Sequence, residues 1–90
     1  MIAAKTALLQ ALSVEPGYGS DLAERIKKLT DGKIVFGAGS VYPAIRDLEK
    51  EGLIIQSESK GRASLYRITV SGKKEAELNK VAVLALFGKE

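Results

Sequence analysis

The recurrence of apolar residues changes character at Gly52. Before it they return at three- and four-residue spacing, the period of helices. After it come two strand-like runs, Leu53–Glu58 and Leu65–Val70, and then a helical pattern again. In the first part, Ala4, Ala7, Leu8, Ala11 and Leu12 predict a helix over 2–14 with a wide apolar stripe. Ile2 and Leu9 fall outside that stripe, so a second face of this helix is expected to be covered as well. Pro16-Gly17 ends it, and EPGYG reads as a turn. Ser20 reads as the N-cap of a second helix, with Asp21 and Glu24 in its first turn and Leu22, Ile26 and Leu29 buried. Asp31-Gly32 ends that helix, Lys33–Phe36 reads as a minimal strand, and Gly37–Gly39 as a loop. A third helix runs from about Ser40 to Glu51. The SKGRAS segment between the later strands predicts a β-hairpin with an exposed tip, and Thr69 or Ser71 caps a last helix over about Gly72–Phe87.

Helix, helix, helix, hairpin, helix is a mainly α chain with a small β-hairpin, an α+β class. It is the order of a winged helix-turn-helix: a three-helix core, a wing, and here a C-terminal helix. The expected division is 1–71 for the winged-helix domain and 72–90 for a dimerisation helix. In this arrangement the third helix enters the major groove and the wing touches the backbone or minor groove.

The third helix contains Pro43, and proline inside a helix removes a hydrogen bond. If Ser40 is the cap, Pro43 falls in the first turn, where N–H groups have no internal partner. At about 100° per residue, Val41, Ala44, Ile45 and Leu48 then point inward. Gly39, Tyr42, Pro43, Arg46 and Lys50 point the other way, an aromatic and basic face. Taken alone, that face equally suits a solvated helix flanked by Asp47, Glu49 and Glu51. The wing adds weight: from Ser59 to Lys74 there is no acidic residue, against five basic ones, Lys60, Arg62, Arg67, Lys73 and Lys74. A tip of Lys60, Gly61 and Arg62 suits a phosphate backbone, although a charged hairpin also keeps an edge strand soluble.

Composition removes the competing chemistries. The 90 residues include no cysteine and no histidine, which excludes disulfide scaffolding, a Ser-His-Asp triad and the common zinc sites. No catalytic residues, cofactor or metal ligands are expected, and the carboxylates stand on helix surfaces near lysines. A net charge of +3 permits nucleic acid as a partner without requiring it. No apolar run reaches the ~20 residues that cross a bilayer, and the N-terminus lacks a signal peptide's basic start. A cytoplasmic protein that meets no membrane is the expectation.

Three segments, GYGSDLAERI, GSVYPAIRDLEKEGLI and GRASLYRITVSGKKE, together resemble the PadR family of bacterial and archaeal transcriptional regulators. That family's pieces look like a GYxL helix start, a GTLYPALxRLExxGLI recognition helix and a GRxRxYYxLTxxG wing. The resemblance spans roughly Gly17–Glu75 and implies a winged-helix, DNA-binding homodimer joined by C-terminal helices, usually a repressor. It places Tyr18, Ser20, Gly39, Ser40, Tyr42 and Pro43 in the DNA-facing motif, and Gly61, Arg62 and Tyr66 in the wing. Tyr66 is read as packing at the wing's base. The family often has a serine where Gly37 stands, so the capping role is expected to pass to Ser40.

The expected function is therefore a sequence-specific regulator of double-stranded DNA, acting as a homodimer on a palindromic operator. The alternative is a winged-helix protein-interaction module. VAVLALF, Val81–Phe87, covers every side of a helix with apolar residues, and a two-fold partner is the simplest cover. Ile2, Leu9, Val81, Leu84 and Phe87 are the candidate dimer residues. Some members of the family bind phenolic or hydrophobic ligands between subunits; no residue pattern here supports such an effector.

Overall fold

The computed structural model describes residues 3–80. Its central element is α1 (Ala4–Val14), whose Ala7, Leu8, Leu9, Ala11 and Leu12 are all buried. Around it stand α2 (Gly19–Leu29), α3 (Ala38–Lys50) and α4 (Val70–Leu78), with a three-stranded antiparallel sheet at one side. Leu22, Ile26, Val41, Ile45, Leu48 and Ile54 complete the core. Helical spacing places all of these inward except Leu9, which lies outside the α1 stripe, and Ile54, which belongs to a strand; burying such side chains contributes roughly 1.5–3 kcal/mol apiece. This is the winged helix-turn-helix that the element order predicts.

The sheet differs from the expected hairpin by one strand. β2 (Ile54–Lys60) and β3 (Ala63–Ile68) form the hairpin, and β1 (Gly17–Tyr18) adds to the far edge of β3. Gly17 pairs with Tyr66 and Tyr18 with Leu65. The segment read as a turn is thus a two-residue strand, too short for any periodicity to show. Lys33–Phe36, read as a strand, has no sheet partner among the described residues. Its alternation is real in one respect, since Ile34 and Phe36 pack on the core while Val35 is exposed. The Ile34 N–H, however, is bonded to a side chain, Thr30 Oγ1, at 3.1 Å.

Thr30 organises this whole turn. It is 1% exposed, and its hydroxyl donates to the Ile26 carbonyl at 2.8 Å while accepting from Ile34. Thr30→Val preserves the shape and removes both bonds. A loss of about 1 kcal/mol in urea unfolding is expected, the usual net worth of such a group; an unchanged midpoint would contradict the assignment.

Two further contacts fix the helices. Arg25 on α2 donates to the carbonyls of Glu15 (2.8 Å) and Pro16 (2.9 Å), tying the end of α1 to α2. Lys5 on α1 pairs with Glu51 at the end of α3, and that hydrogen bond holds the lysine's pKa above its ordinary value. At the other end of the wing, Thr69 caps α4, as one of the two expected candidates: its hydroxyl accepts from the Gly72 N–H at 3.0 Å. The same hydroxyl donates to the Gly52 carbonyl at 2.7 Å, and the Thr69 N–H donates to Leu53 at 3.0 Å. The start of α4 belongs to the core, with Gly72 and Ala76 buried. Among the described residues no helix is long and apolar enough to cross a membrane.

Candidate nucleic-acid interface

The N-terminus of α3 lies earlier than its sequence suggests. The helix begins at Ala38, and Gly37 holds the cap position with no side-chain bond. The Gly37 carbonyl accepts from the N–H groups of Ser40 and Val41, each at 3.0 Å. Ser40 is therefore the third residue of the helix and not its cap. The reason is that Gly37 already supplies the extended backbone a cap needs, at φ −93° and ψ 173°. Pro43 moves with this correction. It is the sixth helical residue, beyond the first turn, and has no N–H to offer the Gly39 carbonyl. The C-terminal boundary behaves as read: the N–H of Gly52 bonds to Glu49 and that of Leu53 to Leu48, closing the helix.

Ser20 is likewise corrected. α2 starts at Gly19 after an extended Tyr18, and no side chain caps it. Tyr18 is held extended by its pairing with Leu65, which leaves Ser20 inside the first turn and exposed.

What the fold brings together is a hollow of about 90 Å³ between the start of α2, the side of α3 and the wing. Gly19, Ser20, Tyr42, Arg62, Ala63, Ser64 and Tyr66 line it. Three of the sequence candidates, Ser20, Tyr42 and Arg62, thus converge from three elements. Tyr42 is 42% exposed, and Tyr66 is half-buried against the core at the wing's base. Gly39, Ser40, Pro43, Arg46 and Lys50 are exposed along α3 but outside the hollow, and Tyr18 is half-buried beside it in β1. Gly61 and Arg62 are the two residues of the hairpin turn, Gly61 at φ +60°. The backbone of Lys60 closes β2 opposite Ala63.

Three lining residues, Gly19, Ala63 and Ser64, were not singled out from sequence. The signal for Ser64 was present: by the two-residue period of a strand it shares a face with Tyr66. Arg67, counted with the basic wing, has an internal task. Ser57 is the extra residue of a β-bulge between Gln56 and Glu58, and Arg67 Nε donates to Ser57 Oγ at 2.8 Å. Of the candidate dimer residues, Leu9 is 2% exposed and shares a hollow with Leu48 and Leu53. Ile2, Val81, Leu84 and Phe87 lie outside the described residues.

Solved structures share this architecture. A transcriptional regulator from Clostridium thermocellum is 28% identical, with a TM-score of 0.77 over 89% of this chain and 79% of that one. Bacillus subtilis PadR in complex with operator DNA is 25% identical, with a TM-score of 0.74 over 86% of this chain and 46% of that one. F93 from STIV, a winged-helix DNA-binding protein, has a TM-score of 0.74 at 22% identity, over 87% and 84% of the two chains. No curated protein matches the chain. The family model described as transcriptional regulator PadR-like matches residues 8–78, and the chain accordingly belongs to the PadR-like family of transcriptional regulators.

Proposed function

We propose that this regulator binds double-stranded DNA sequence-specifically, as a homodimeric repressor on a palindromic operator. The observation that carries the reading is the convergence of Ser20, Tyr42 and Arg62 on one hollow, beside the exposed basic face of α3. α3 would lie in the major groove with Arg46 toward base edges. Gly39, Ser40, Pro43 and Lys50 would border the same groove, with Tyr18 and Ser20 beside the backbone. The tip residues Lys60, Gly61 and Arg62 would follow the adjoining phosphates. Operator binding by Bacillus subtilis PadR supports the same assignment. Leu78 on α4 is 80% exposed, an apolar side chain that a second protomer would cover. Apart from the core residues Gly72 and Ala76, residues 72–90 would then serve the subunit interface and residues 1–71 the DNA.

Selection of bound duplexes from a random pool tests this reading. The expected product is a motif with two-fold symmetry, whose affinity falls with salt at a log–log slope of about −0.9 per phosphate contact. Arg62→Ala should weaken all duplexes alike, by about tenfold, and reduce the slope by about one. Arg46→Ala should relax preference at one base pair, a discrimination of ~1–3 kcal/mol. A protein with no salt-dependent affinity for any duplex overturns the reading in favour of a protein-interaction module.

A further inference from the structure

We propose that Gly19 is a positioning residue for DNA recognition, and that it acts by seating the ring of Tyr42. The inference rests on the DNA-binding reading above. Gly19 is buried, and its backbone angle is not among those at positive φ. What favours a glycine there is space, and the one tight contact of an added Cβ is with Tyr42. A Cβ at this position would lie 3.3 Å from Tyr42 Cε1, 3.4 Å from Tyr66 Cε2 and 3.5 Å from Ile45 Cδ1. The first residue of α2, the reading face of α3 and the central strand of the wing therefore meet where one methyl group is missing.

Which neighbour yields to an added methyl follows from how each is held. Ile45 is 2% exposed in a close-packed core and has nowhere to go. Tyr66 sits on β3, paired with Gly17 on one side and Gln56 on the other. Tyr42 alone is partly free, with 42% of its surface exposed. An alanine at position 19 thus displaces the Tyr42 ring by a few tenths of an ångström, toward the surface where DNA would lie. The backbone needs no change, because alanine suits the first turn of a helix at least as well as glycine.

The expected signature is a functional loss without a stability loss. Gly19→Ala should bind the selected operator about tenfold more weakly than wild type, with a denaturation midpoint no lower than that of wild type. In a Tyr42→Ala background the same substitution should have no further effect on affinity, since the ring it displaces is gone. Equal affinity of Gly19→Ala and wild type would overturn the assignment, as would an additive loss in the double variant. If the alanine variant does not fold, a nuclear Overhauser contact between Gly19 Hα and Tyr42 Hε in the wild-type protein decides the matter, and its absence overturns the seat. A wild type that selects no duplex is a different failure: it removes the DNA reading itself.

Discussion

Gly72→Ala is expected to destabilise the protein by about 3 kcal/mol, measured by urea unfolding with circular dichroism. On helix propensity alone the sign would be opposite, because alanine in a helix is favoured over glycine by about 1 kcal/mol. Packing decides otherwise. A Cβ on Gly72 would overlap the Leu53 carbonyl oxygen and come within 2.6 Å of Ile68 Cγ1. The carbonyl cannot move aside freely, because it accepts the Thr69 N–H at 3.0 Å. Relief requires α4 to withdraw from the body, which loosens buried Ala76 and the Thr69 cap together. Overpacking of this kind costs about 1–3 kcal/mol, and a clash against backbone belongs at the upper end. A variant as stable as wild type would show that α4 does not pack as described.

The second large effect has the opposite sign. Pro43→Ala is expected to raise stability by about 2 kcal/mol and to weaken operator binding. Proline in a helix interior is less favourable than alanine by about 3 kcal/mol, and Pro43 is exposed, so no core contact is lost by replacing it. The added freedom of the unfolded chain offsets about 0.4–1 kcal/mol of the gain. The proline is not alone in weakening this end of α3. Among the described residues, Gly37 and Gly39 have nothing packed within 4 Å of the place a side chain would take, so no described contact requires them to be glycine. Two poor helix formers inside the helix, Gly39 and Pro43, fit a surface kept open for a partner. Thermal unfolding and operator titration of the same variant check both halves of the expectation. A destabilised variant would refute the placement of Pro43 beyond the first turn.

The core was legible in the sequence because helix and strand periods are local. Val41, Ala44, Ile45 and Leu48 needed only their spacing to be placed inside. The exposed face of α3 was legible for the same reason, as its complement. What was not legible depends on partners distant in the chain. β1 exists only because Gly17 and Tyr18 meet Tyr66 and Leu65, and that pairing in turn sets where α2 begins. Ser20 and Ser40 both looked like caps, since serine is a good cap wherever the backbone turns. Nothing near Ser40 announces that Gly37 has already taken the role. The convergence of Ser20, Tyr42 and Arg62 is likewise a product of the sheet register, which no single segment encodes.

The Thr69 junction has a consequence for how relatives of this protein can diverge. Its bonds to Gly52 and Leu53 pin the two ends of the wing to each other and to the start of α4. Everything between them is a closed excursion from the body, and at its tip Gly61 faces open space. Length can therefore change there without moving α3 against α4. Side chains nearer the base keep their faces whatever is added at the turn, because alternation is counted outward from the pinned ends. Insertions that survive in such wings should accordingly be centred on the turn.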